Sequence, residues 1–407
     1  MTAIELESKF SAHNYAPLPV VLARGEGSYL WDVEGRRYID MMSAYSAASH
    51  GHGHPRILAA LSSQAQRLAV PSRAYYNDRL GPFLKEICRV TELDAALPMN
   101  TGAEAVETAI KAARRWGYRV KGIPKDRAEI IVANGNFHGR TTTIIGFSSE
   151  PEYRDGFGPF APGFVSVPFG DLRAMERAIT PNTAAILIEP IQGEAGIIVP
   201  PVGYLIGLRR ICDANRVQLI IDEVQSGLGR TGAWFAFQHE NIKPDGVILG
   251  KALGGGVLAV SAFVGRQELM DVFTPGSHGS TFGGNPLAAT VGLEALRIIC
   301  DEGLVERSRD LGAHMLGRLR AIRSPAVKEI RGRGLWVGAE INPEFASARL
   351  VCERLLAKGV LSKETHHTVV RMAPPLVIAR EDLDTALDRF EEVMFELGKM
   401  PRPSVAA

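Results

Sequence analysis

The chain has 407 residues, of which 46% are hydrophobic and 22% charged, and its formal net charge is +1. This length is enough for two domains with buried cores. The balanced charge provides no broad field for nucleic acid or for an anionic membrane surface, and no apolar run approaches the length that spans a bilayer. The acidic start, Met1–Glu7, lacks the basic flank of a secretory or transit peptide. Because the four cysteines are scattered, as reduced thiols usually are, we expect a cytoplasmic protein.

The first 50 residues contain short β-like pieces at 27–32 and 37–40, separated by glycine-containing turns. Tyr15 and Tyr45 lie in this region, and each is either a packing aromatic or a ligand contact. The run that follows, His-Gly-His-Gly-His at 50–54, raises the possibility of a metal site. Neither a cysteine nor an acidic cluster lies beside it, and alternating histidines in a glycine loop rarely converge on one ion, so we predict no metal here.

From about residue 97, strands alternate with helices, which predicts an α/β fold with a mostly parallel sheet covered on both faces. A helix after Asn100 carries an apolar stripe made of Val106, Ala109, Ile110, Ala113 and Trp116. The predicted strands are 129–133, 184–189, 217–222, 246–250 and 260–264, with a crossover helix at 203–215. Beyond Pro286 the pattern is helical to about 320, and short strands near 327–341 and 368–372 then alternate with helices at 346–358 and 380–399.

Lys251 follows the apolar strand 246–250 and opens a turn that contains three more glycines. A lysine at the end of a buried strand is costly unless it has a partner or a chemical role. Burial can lower the pKa of its amine, which makes it a usable nucleophile for Schiff-base chemistry. A solvated turn lysine is the alternative at this point.

Asp222 ends the apolar strand 217–222 at the carboxyl edge, where open α/β sheets bind ligands. A carboxylate there can pair with a cationic ring nitrogen and keep it protonated. A helix N-cap or a metal-binding aspartate would explain the same residue. Gln225 lies three residues further on and would be close to it.

Two glycine-rich turns could hold an anion. Thr101-Gly102-Ala103 opens a helix, where backbone N–H groups and the helix dipole favour a phosphate. The loop 279–285, which contains Ser280 and Thr281, adds hydroxyl donors. Neither turn is specific alone, and Phe137 could equally stack on a ligand ring or pack in the core.

Three other catalytic or nucleotide-binding motifs are absent from the sequence. Gly250-Lys251 precedes its glycines, whereas a P-loop has the reverse order. No Gly-x-Gly-x-x-Gly follows an early strand, and no Gly-x-Ser-x-Gly elbow is present. By contrast, Lys251, Asp222, Gly102 and Phe137 together meet the demands of pyridoxal phosphate, which are an imine-forming amine, a carboxylate for the pyridinium, a phosphate cradle and a ring cover.

These motifs resemble the class III pyridoxal-phosphate-dependent aminotransferases over nearly the whole chain. The resemblance is carried by segments 100–105, 137–140, 189–194, 221–225, 249–251 and 280–286. It implies pyridoxal-phosphate-dependent transferase fold type I, with a mostly parallel seven-stranded sheet in a large domain at 51–287. A small α+β domain would be built from both termini, 1–50 and 288–407. Departures are His138, where some members have tryptophan, and segment 364–368 near Arg371.

The resemblance also implies roles for individual residues. Lys251 would bind the cofactor covalently and shuttle protons, and Asp222 would pair with the pyridine nitrogen. Gln225 would bind the phenolic oxygen, with Phe137 and Val224 on the two ring faces. Gly102 and Ala103 would bind the phosphate from one subunit of a homodimer or of a larger assembly of dimers. Thr281, with Ser280, would bind it from the other.

Segments 13–15, 43–46, 115–118 and 155–160 resemble the members that act on ornithine. The implied reaction transfers the δ-amino group of L-ornithine to 2-oxoglutarate. Glu194 would mask Arg371 during the first half-reaction and release it in the second. Arg140 would bind the remote carboxylate, Tyr15 the α-amine, and Tyr45 would line the pocket. The alternatives are another ω-aminotransferase, acting on acetylornithine or 4-aminobutyrate, a pyridoxal-phosphate aminomutase, and a cofactor-free binding protein.

Overall fold

The structure is a computed structural model that describes residues 1–399 and contains three β-sheets. The strands within this range are β1 Leu22–Glu26, β2 Tyr29–Asp32, β3 Arg37–Asp40, β4 Ala95–Met99, β5 Glu129–Ala133, β6 Phe164–Val167, β7 Thr183–Ile188, β8 Gln218–Asp222, β9 Gly246–Leu249, β10 Ser261–Gly265, β11 Val327–Gly332, β12 Val337–Ile341, β13 Val360–Leu361, β14 Lys363–Thr365 and β15 Val369–Met372.

Helices cover both faces of the largest sheet and dominate the C-terminal third of the described chain. They are α1 Ala3–Phe10, α2 Ser43–Ser46, α3 Pro55–Arg67, α4 Leu80–Thr91, α5 Gly102–Trp116, α6 Thr142–Ile145, α7 Pro151–Arg154, α8 Leu172–Ala178, α9 Tyr204–Asn215, α10 Gln267–Met270, α11 Pro286–Asp301, α12 Leu304–Ala321, α13 Ala348–Ala357 and α14 Arg380–Gly398. Although α2 is a helical turn, it is left-handed at Ala44 and Tyr45.

The largest sheet has seven strands in the order β4-β10-β9-β8-β7-β5-β6. All neighbours pair in parallel except β10, which runs antiparallel to both β4 and β9. This confirms the predicted mostly parallel α/β sheet, and each of the five predicted strands lies within one residue of an observed one. Every residue of β7, β8 and β9 is buried, as expected of central strands covered by helices on both faces. The strands β4 and β6, for which no bounds were predicted, complete the sheet.

Two smaller four-stranded sheets involve the two ends of the described chain. One has the order β1-β2-β3-β13, so a C-terminal strand pairs in parallel with β3. The other has the order β11-β12-β15-β14 and consists only of residues after 326. The pairing of β3 with β13 is what a small domain built from both termini requires, but the boundaries at 50 and 287 remain a prediction.

Helix α5 shows how the sequence sets both the start and the buried face of an element. Thr101 and Glu104 form a capping box, in which each side chain accepts a hydrogen bond from the other's backbone N–H. The five residues of the predicted apolar stripe are all buried. The helix packs against β9 and β10. Because it begins just after β4, which runs in the same direction as β9, its N-terminus lies at the carboxyl edge of the sheet.

The histidine run at 50–54 diverges in the structure. His50 Nε2 is 2.9 Å from the Ala295 carbonyl, His52 Nε2 is 2.7 Å from Asp40, and His54 Nε2 is 3.1 Å from Glu302. The three rings therefore have three different partners.

None of the helices within residues 1–399 combines the length and apolarity needed to cross a membrane.

Two glycines of α12 make a matched test of the packing. A Cβ on Gly312 would lie 2.2 Å from the backbone of Gly334, whereas a Cβ on Gly317 would meet nothing within 4 Å. Gly317→Ala should raise the free energy of unfolding by about 0.5–1 kcal/mol, because alanine is the better helix former. Gly312→Ala should lower it by about 1–3 kcal/mol through overpacking. Urea unfolding measures both, and a shift of the same sign in the two variants would contradict this packing.

Candidate active site

Three parallel strands of the large sheet end at one cavity of about 180 Å³. Glu189 follows β7, Asp222 ends β8, and Lys251 follows β9 after one glycine, and all three line the cavity. Carboxyl ends of neighbouring parallel strands meet at one edge, which explains why residues distant in sequence converge here. The remaining lining residues are Gly102, Ala103, Phe137, His138, Gly139, Ile191, Val224, Gln225 and Ser226.

Lys251 has a left-handed backbone, with φ of 46°. The turn packs tightly around Val224. A Cβ atom added to Gly250 would lie 3.2 Å from Val224 Cγ1, and a Cβ atom added to Gly102 would lie 3.1 Å from the same atom. Burial lowers the pKa of the Lys251 amine below its usual value, although the Glu194 carboxylate opposes that shift. A larger fraction of the Lys251 amine is therefore deprotonated at a given pH than in a solvated lysine.

The N-terminus of α5 leaves two backbone donors free at the cavity. Glu104 N–H donates to the Thr101 side chain, whereas no acceptor within residues 1–399 takes the N–H groups of Gly102 and Ala103. Two unused N–H groups at the positive end of a helix suit a phosphate.

Asp222 is bound by a histidine that the sequence analysis noted only as a departure. His138 Nδ1 lies 2.7 Å from Asp222 Oδ2, and Val224 N–H donates to Asp222 Oδ1 at 3.0 Å. Burial alone would lower the pKa of His138, but the hydrogen bond and charge of Asp222 outweigh it and raise the pKa above its usual value. A protonated His138 stabilises the anionic form of Asp222, which is the form that pairs with a pyridinium.

Glu194 and Arg371 form an ion pair of 2.6 Å, and both contact Gln225, which lines the cavity. Arg371 is 2% exposed, and its second terminal nitrogen donates to Gln225 Oε1. Burial would raise the pKa of Glu194, but the charge of Arg371 holds it below the usual value. Thr365, from the segment that departs from the family pattern, donates its hydroxyl to the Glu194 carbonyl at 2.6 Å. This hydrogen bond links the segment to the backbone of Glu194, one member of the ion pair.

Tyr45 lies over the Arg371 guanidinium, with 4.9 Å from Cζ to the ring centroid. It is presented by a turn of four consecutive non-glycine residues with positive φ, Ser43 to Ser46. Left-handed helical backbone costs L-residues about 1–2 kcal/mol each. The contact between Tyr45 and Arg371 therefore requires a strained backbone in the turn that carries Tyr45.

The other predicted substrate residues are placed less uniformly. Arg140 stacks on Tyr153 at 3.7 Å and on Phe137 at 5.5 Å, beside the cavity. Tyr15 is 82% exposed and is not among the residues that line the cavity. Tyr45, Glu194 and Arg371 do not line it either, but they contact one another. Burial raises the pKa of Tyr45 above its usual value and the charge of Tyr15 adds to that increase, so Tyr15 lies near this group.

Ser280 and Thr281 lie away from the Lys251 cavity of their own chain. Asn100 Nδ2 donates to Ser280 Oγ at 2.9 Å, and Thr281 lines a separate cleft with Arg73 and Asn77. The prediction that these hydroxyls serve a second subunit is compatible with this location, and it stays a prediction.

Glu189 is a cavity residue to which the sequence analysis gave no role. Its two oxygens accept the N–H groups of Phe137 at 2.9 Å and Gly193 at 3.1 Å, and burial raises its pKa to about 7. The strand-end pattern that identified Asp222 also applies to Glu189, because it is the last residue of the predicted strand 184–189.

The residues that meet at the cavity fit pyridoxal phosphate. Lys251 offers an amine of lowered pKa, Asp222 a carboxylate, and α5 two unused N–H donors. Phe137 and Val224 supply apolar walls. These are the groups that the aldehyde, ring nitrogen, phosphate and ring faces of that cofactor require.

Comparisons with known proteins agree with this donor set. The family model described as aminotransferase class-III matches residues 10–394. The chain is 56% identical to an ornithine aminotransferase of Brevibacillus brevis, over 96% of this chain and 97% of the relative. It is 53% identical to one of Bordetella pertussis, over 96% and 94%.

Solved structures give the same result. An ornithine aminotransferase of Toxoplasma gondii, described with partial occupancy of pyridoxal phosphate at its active site, superposes with a TM-score of 0.95 at 43% identity, covering 97% of this chain and 93% of that one. An acetylornithine aminotransferase of Elizabethkingia anophelis has a TM-score of 0.88 at 44% identity, over 97% and 98%. From the cavity and from these relatives, we conclude that the chain belongs to the class III aminotransferases, enzymes that depend on pyridoxal phosphate.

Proposed function

We propose that the enzyme transfers the δ-amino group of L-ornithine to 2-oxoglutarate, giving glutamate 5-semialdehyde, which cyclises, and glutamate. The observation that carries the proposal is the Glu194–Arg371 ion pair of 2.6 Å, whose arginine is buried and whose two charges both act on the Lys251 amine. Support also comes from curated relatives that are 53–56% identical and are named ornithine aminotransferase.

The Glu194–Arg371 pair suits a pocket that must accept two different substrates in turn. Ornithine presents an uncharged methylene chain next to its δ-amine, and a free arginine there would lack a partner. With Glu194 bound to it, Arg371 is neutralised while ornithine reacts. When Glu194 turns away, the guanidinium can bind the α-carboxylate of 2-oxoglutarate in bidentate fashion.

Lys251 and Asp222 would serve the chemical steps. When bound, pyridoxal phosphate supplies an electron sink for the bonds at the reacting carbon. The Lys251 amine, whose pKa burial lowers, can hold the cofactor covalently and then take and return the proton of that carbon. Asp222, bound to His138, would hold the proton on the ring nitrogen. Gln225 would bind the phenolic oxygen, Phe137 and Val224 would cover the ring, and Gly102 and Ala103 would bind the phosphate.

The remainder of ornithine would be bound by Arg140, Tyr45 and Tyr15. Arg140, held by Tyr153 and Phe137, would bind the carboxylate remote from the reacting carbon. Tyr45 would form the wall over Arg371. Tyr15 is exposed but lies near enough to Tyr45 to help raise the pKa of that residue, and its hydroxyl would bind the α-amine.

We also infer a homodimer or an assembly of dimers located in the cytoplasm. Ser280 and Thr281 do not reach the cavity of their own chain, so their predicted contact with phosphate needs a second subunit. The large exposed aromatics Tyr75, Tyr76 and Phe282 lie in segments near that loop in sequence or structure and would be covered in such an assembly. All four cysteines are free thiols, which suits a reducing compartment.

A second candidate substrate is N-acetylornithine, because the Elizabethkingia anophelis acetylornithine aminotransferase is 44% identical to this chain. The two candidates differ in the α-amine, which is free in ornithine and acylated in acetylornithine. Tyr15 and Tyr45 offer hydroxyls to a free amine, which favours ornithine.

A substrate comparison on the purified holoenzyme tests the proposal. With 2-oxoglutarate as acceptor, kcat/KM for L-ornithine should exceed the values for N-acetylornithine and 4-aminobutyrate by about tenfold or more, since an unpaired polar group at the α-position costs at least that much. A preference for N-acetylornithine would overturn the assignment. Turnover without 2-oxoglutarate would indicate an aminomutase instead.

Lys251→Ala should abolish turnover, while the cofactor stays bound noncovalently to Asp222 and the start of α5. Activity assays and the absorbance spectrum of the purified variant measure the two effects. Lys121→Ala is the matched control, because burial also lowers the pKa of Lys121 but its amine donates to the Thr183 and Asn215 carbonyls, away from the cavity. Near-normal activity of Lys251→Ala would refute its role.

Glu194→Ala should impair the ornithine half-reaction by about tenfold to a hundredfold, as expected for the loss of a charge-assisted hydrogen bond that masks Arg371. The half-reaction with glutamate should be affected less, because it uses the unmasked arginine. Rapid mixing of the holoenzyme with each amino donor separates the two rates. Equal losses in both would show that Glu194 is not a switch.

A further inference from the structure

The turn Ser43–Ser46 is the most strained stretch of backbone that we find beside the cavity. Its four residues have φ of 43°, 47°, 58° and 73°, and none of them is glycine. L-residues adopt consecutive left-handed conformations only where contacts with the surrounding structure compensate for the strain. Backbone strain of this kind is concentrated at functional sites. Contacts from other parts of the chain must therefore stabilise this turn.

Arg230 lies behind the turn and is completely buried. Its guanidinium donates four hydrogen bonds to neutral oxygens: Leu335 O at 2.9 Å, Pro374 O at 2.6 Å, Ser43 Oγ at 3.1 Å and Ser49 Oγ at 2.9 Å. Burial lowers its pKa to about 9, which leaves the guanidinium charged at neutral pH. The charge of Asp40 opposes this shift, but no carboxylate within residues 1–399 forms an ion pair with Arg230. Burying a charge without a directly bonded counter-ion is expensive, so its retention calls for a specific role.

Three of the four partners of Arg230 belong to two segments that carry substrate residues, and the fourth, Leu335, precedes β12. Ser43 begins the turn that presents Tyr45, and Ser49, which follows the turn, donates to the Ser46 carbonyl at 2.8 Å. Pro374 follows β15, the strand of Arg371. A second link runs parallel to the first, because Ser43 Oγ donates to the Ala373 carbonyl at 2.7 Å.

We propose that Arg230 is a positioning residue for substrate selection: it fixes the strained turn Ser43–Ser46 to the segment after β15, so that Tyr45 stays over Arg371. Only a planar guanidinium can donate in several fixed directions to four acceptors at once. A lysine has one nitrogen, which cannot reach all four. The role of Arg230 is thus exerted through Tyr45 and Arg371, and not by contact with substrate.

The proposal differs from a general stabilising role in one measurable respect. If Arg230 acts through Tyr45, its replacement matters only while Tyr45 is present. If it only stabilises the fold, its effect on substrate binding is independent of Tyr45. A double-mutant cycle separates the two cases.

The test compares holoenzymes of the wild type, Arg230→Lys, Tyr45→Leu and the double variant. Arg230→Lys should raise KM for 2-oxoglutarate about tenfold with a smaller change in kcat, because Tyr45 no longer lies over Arg371. The double variant should match Tyr45→Leu to within about twofold. Effects that multiply in the double variant would overturn the proposal.

Arg307→Lys is the matched control. Arg307 also donates to backbone carbonyls of the segment after β15, those of Leu376 and Ile378, but it does not bond to the 43–49 turn. It should lower the melting temperature without changing KM. If Arg307→Lys and Arg230→Lys raise KM equally, the link to Tyr45 is disproved. Should Arg230→Lys fail to fold, Ser49→Ala removes one of its acceptors and takes its place in the cycle.

The inference rests on the proposed function where it assigns 2-oxoglutarate, so binding of glutarate is measured as well. Glutarate is an unreactive dicarboxylate, and its binding can be followed through the cofactor absorbance. If the wild type does not use ornithine but Arg230→Lys and Tyr45→Leu weaken glutarate binding without additivity, the proposed function fails and the role of Arg230 stands. If ornithine is used and the cycle is additive, only the role of Arg230 fails.

Discussion

The ion pair between Arg371 and Glu194 is the interaction around which the site is arranged. A guanidinium that is 2% exposed needs partners on every side, and it has the Glu194 carboxylate, the Gln225 amide oxygen and the Tyr45 ring. Both charges of the pair act on Lys251, whose pKa is lowered by burial: Glu194 opposes that lowering, and Arg371 adds to it. A change in the Glu194–Arg371 contact therefore reaches the reacting amine as well as the substrate carboxylate.

A second group of charged side chains lies at the same sheet edge, where the proposed cofactor residues are. His138 and Asp222 form a buried pair, and Glu189 beside them binds the backbone of Phe137 and of Gly193. Gly193 precedes Glu194, so the Glu189 carboxyl group fixes the backbone of Phe137 and the backbone next to the ion pair. Removing either member of one of these pairs would leave a buried partner unsatisfied.

Much of the fold could be predicted because the signals are local. The continuous apolar runs of β7, β8 and β9, the stripe of α5 and its capping box each lie within a few residues of sequence. Two strand-end residues, Asp222 and Lys251, could then be brought together by a general rule, that carboxyl ends of parallel strands share an edge. The antiparallel direction of β10 was not expected, because no turn or apolar pattern distinguishes it from its neighbours.

The pairing of charges could not be obtained in this way. Glu194 and Arg371 are 177 residues apart, His138 and Asp222 are 84 apart, and Arg230 and Ser43 are 187 apart. Of these side chains only Asp222 has a local signal, its position at a strand end; without the family resemblance the others are ordinary polar residues in the sequence. Residue type and periodicity were sufficient for the elements and for the chemistry of the cofactor. Which charge faces which, and which turn is held in a left-handed form, depends on long-range packing, because burial and strain exist only once distant segments are in contact.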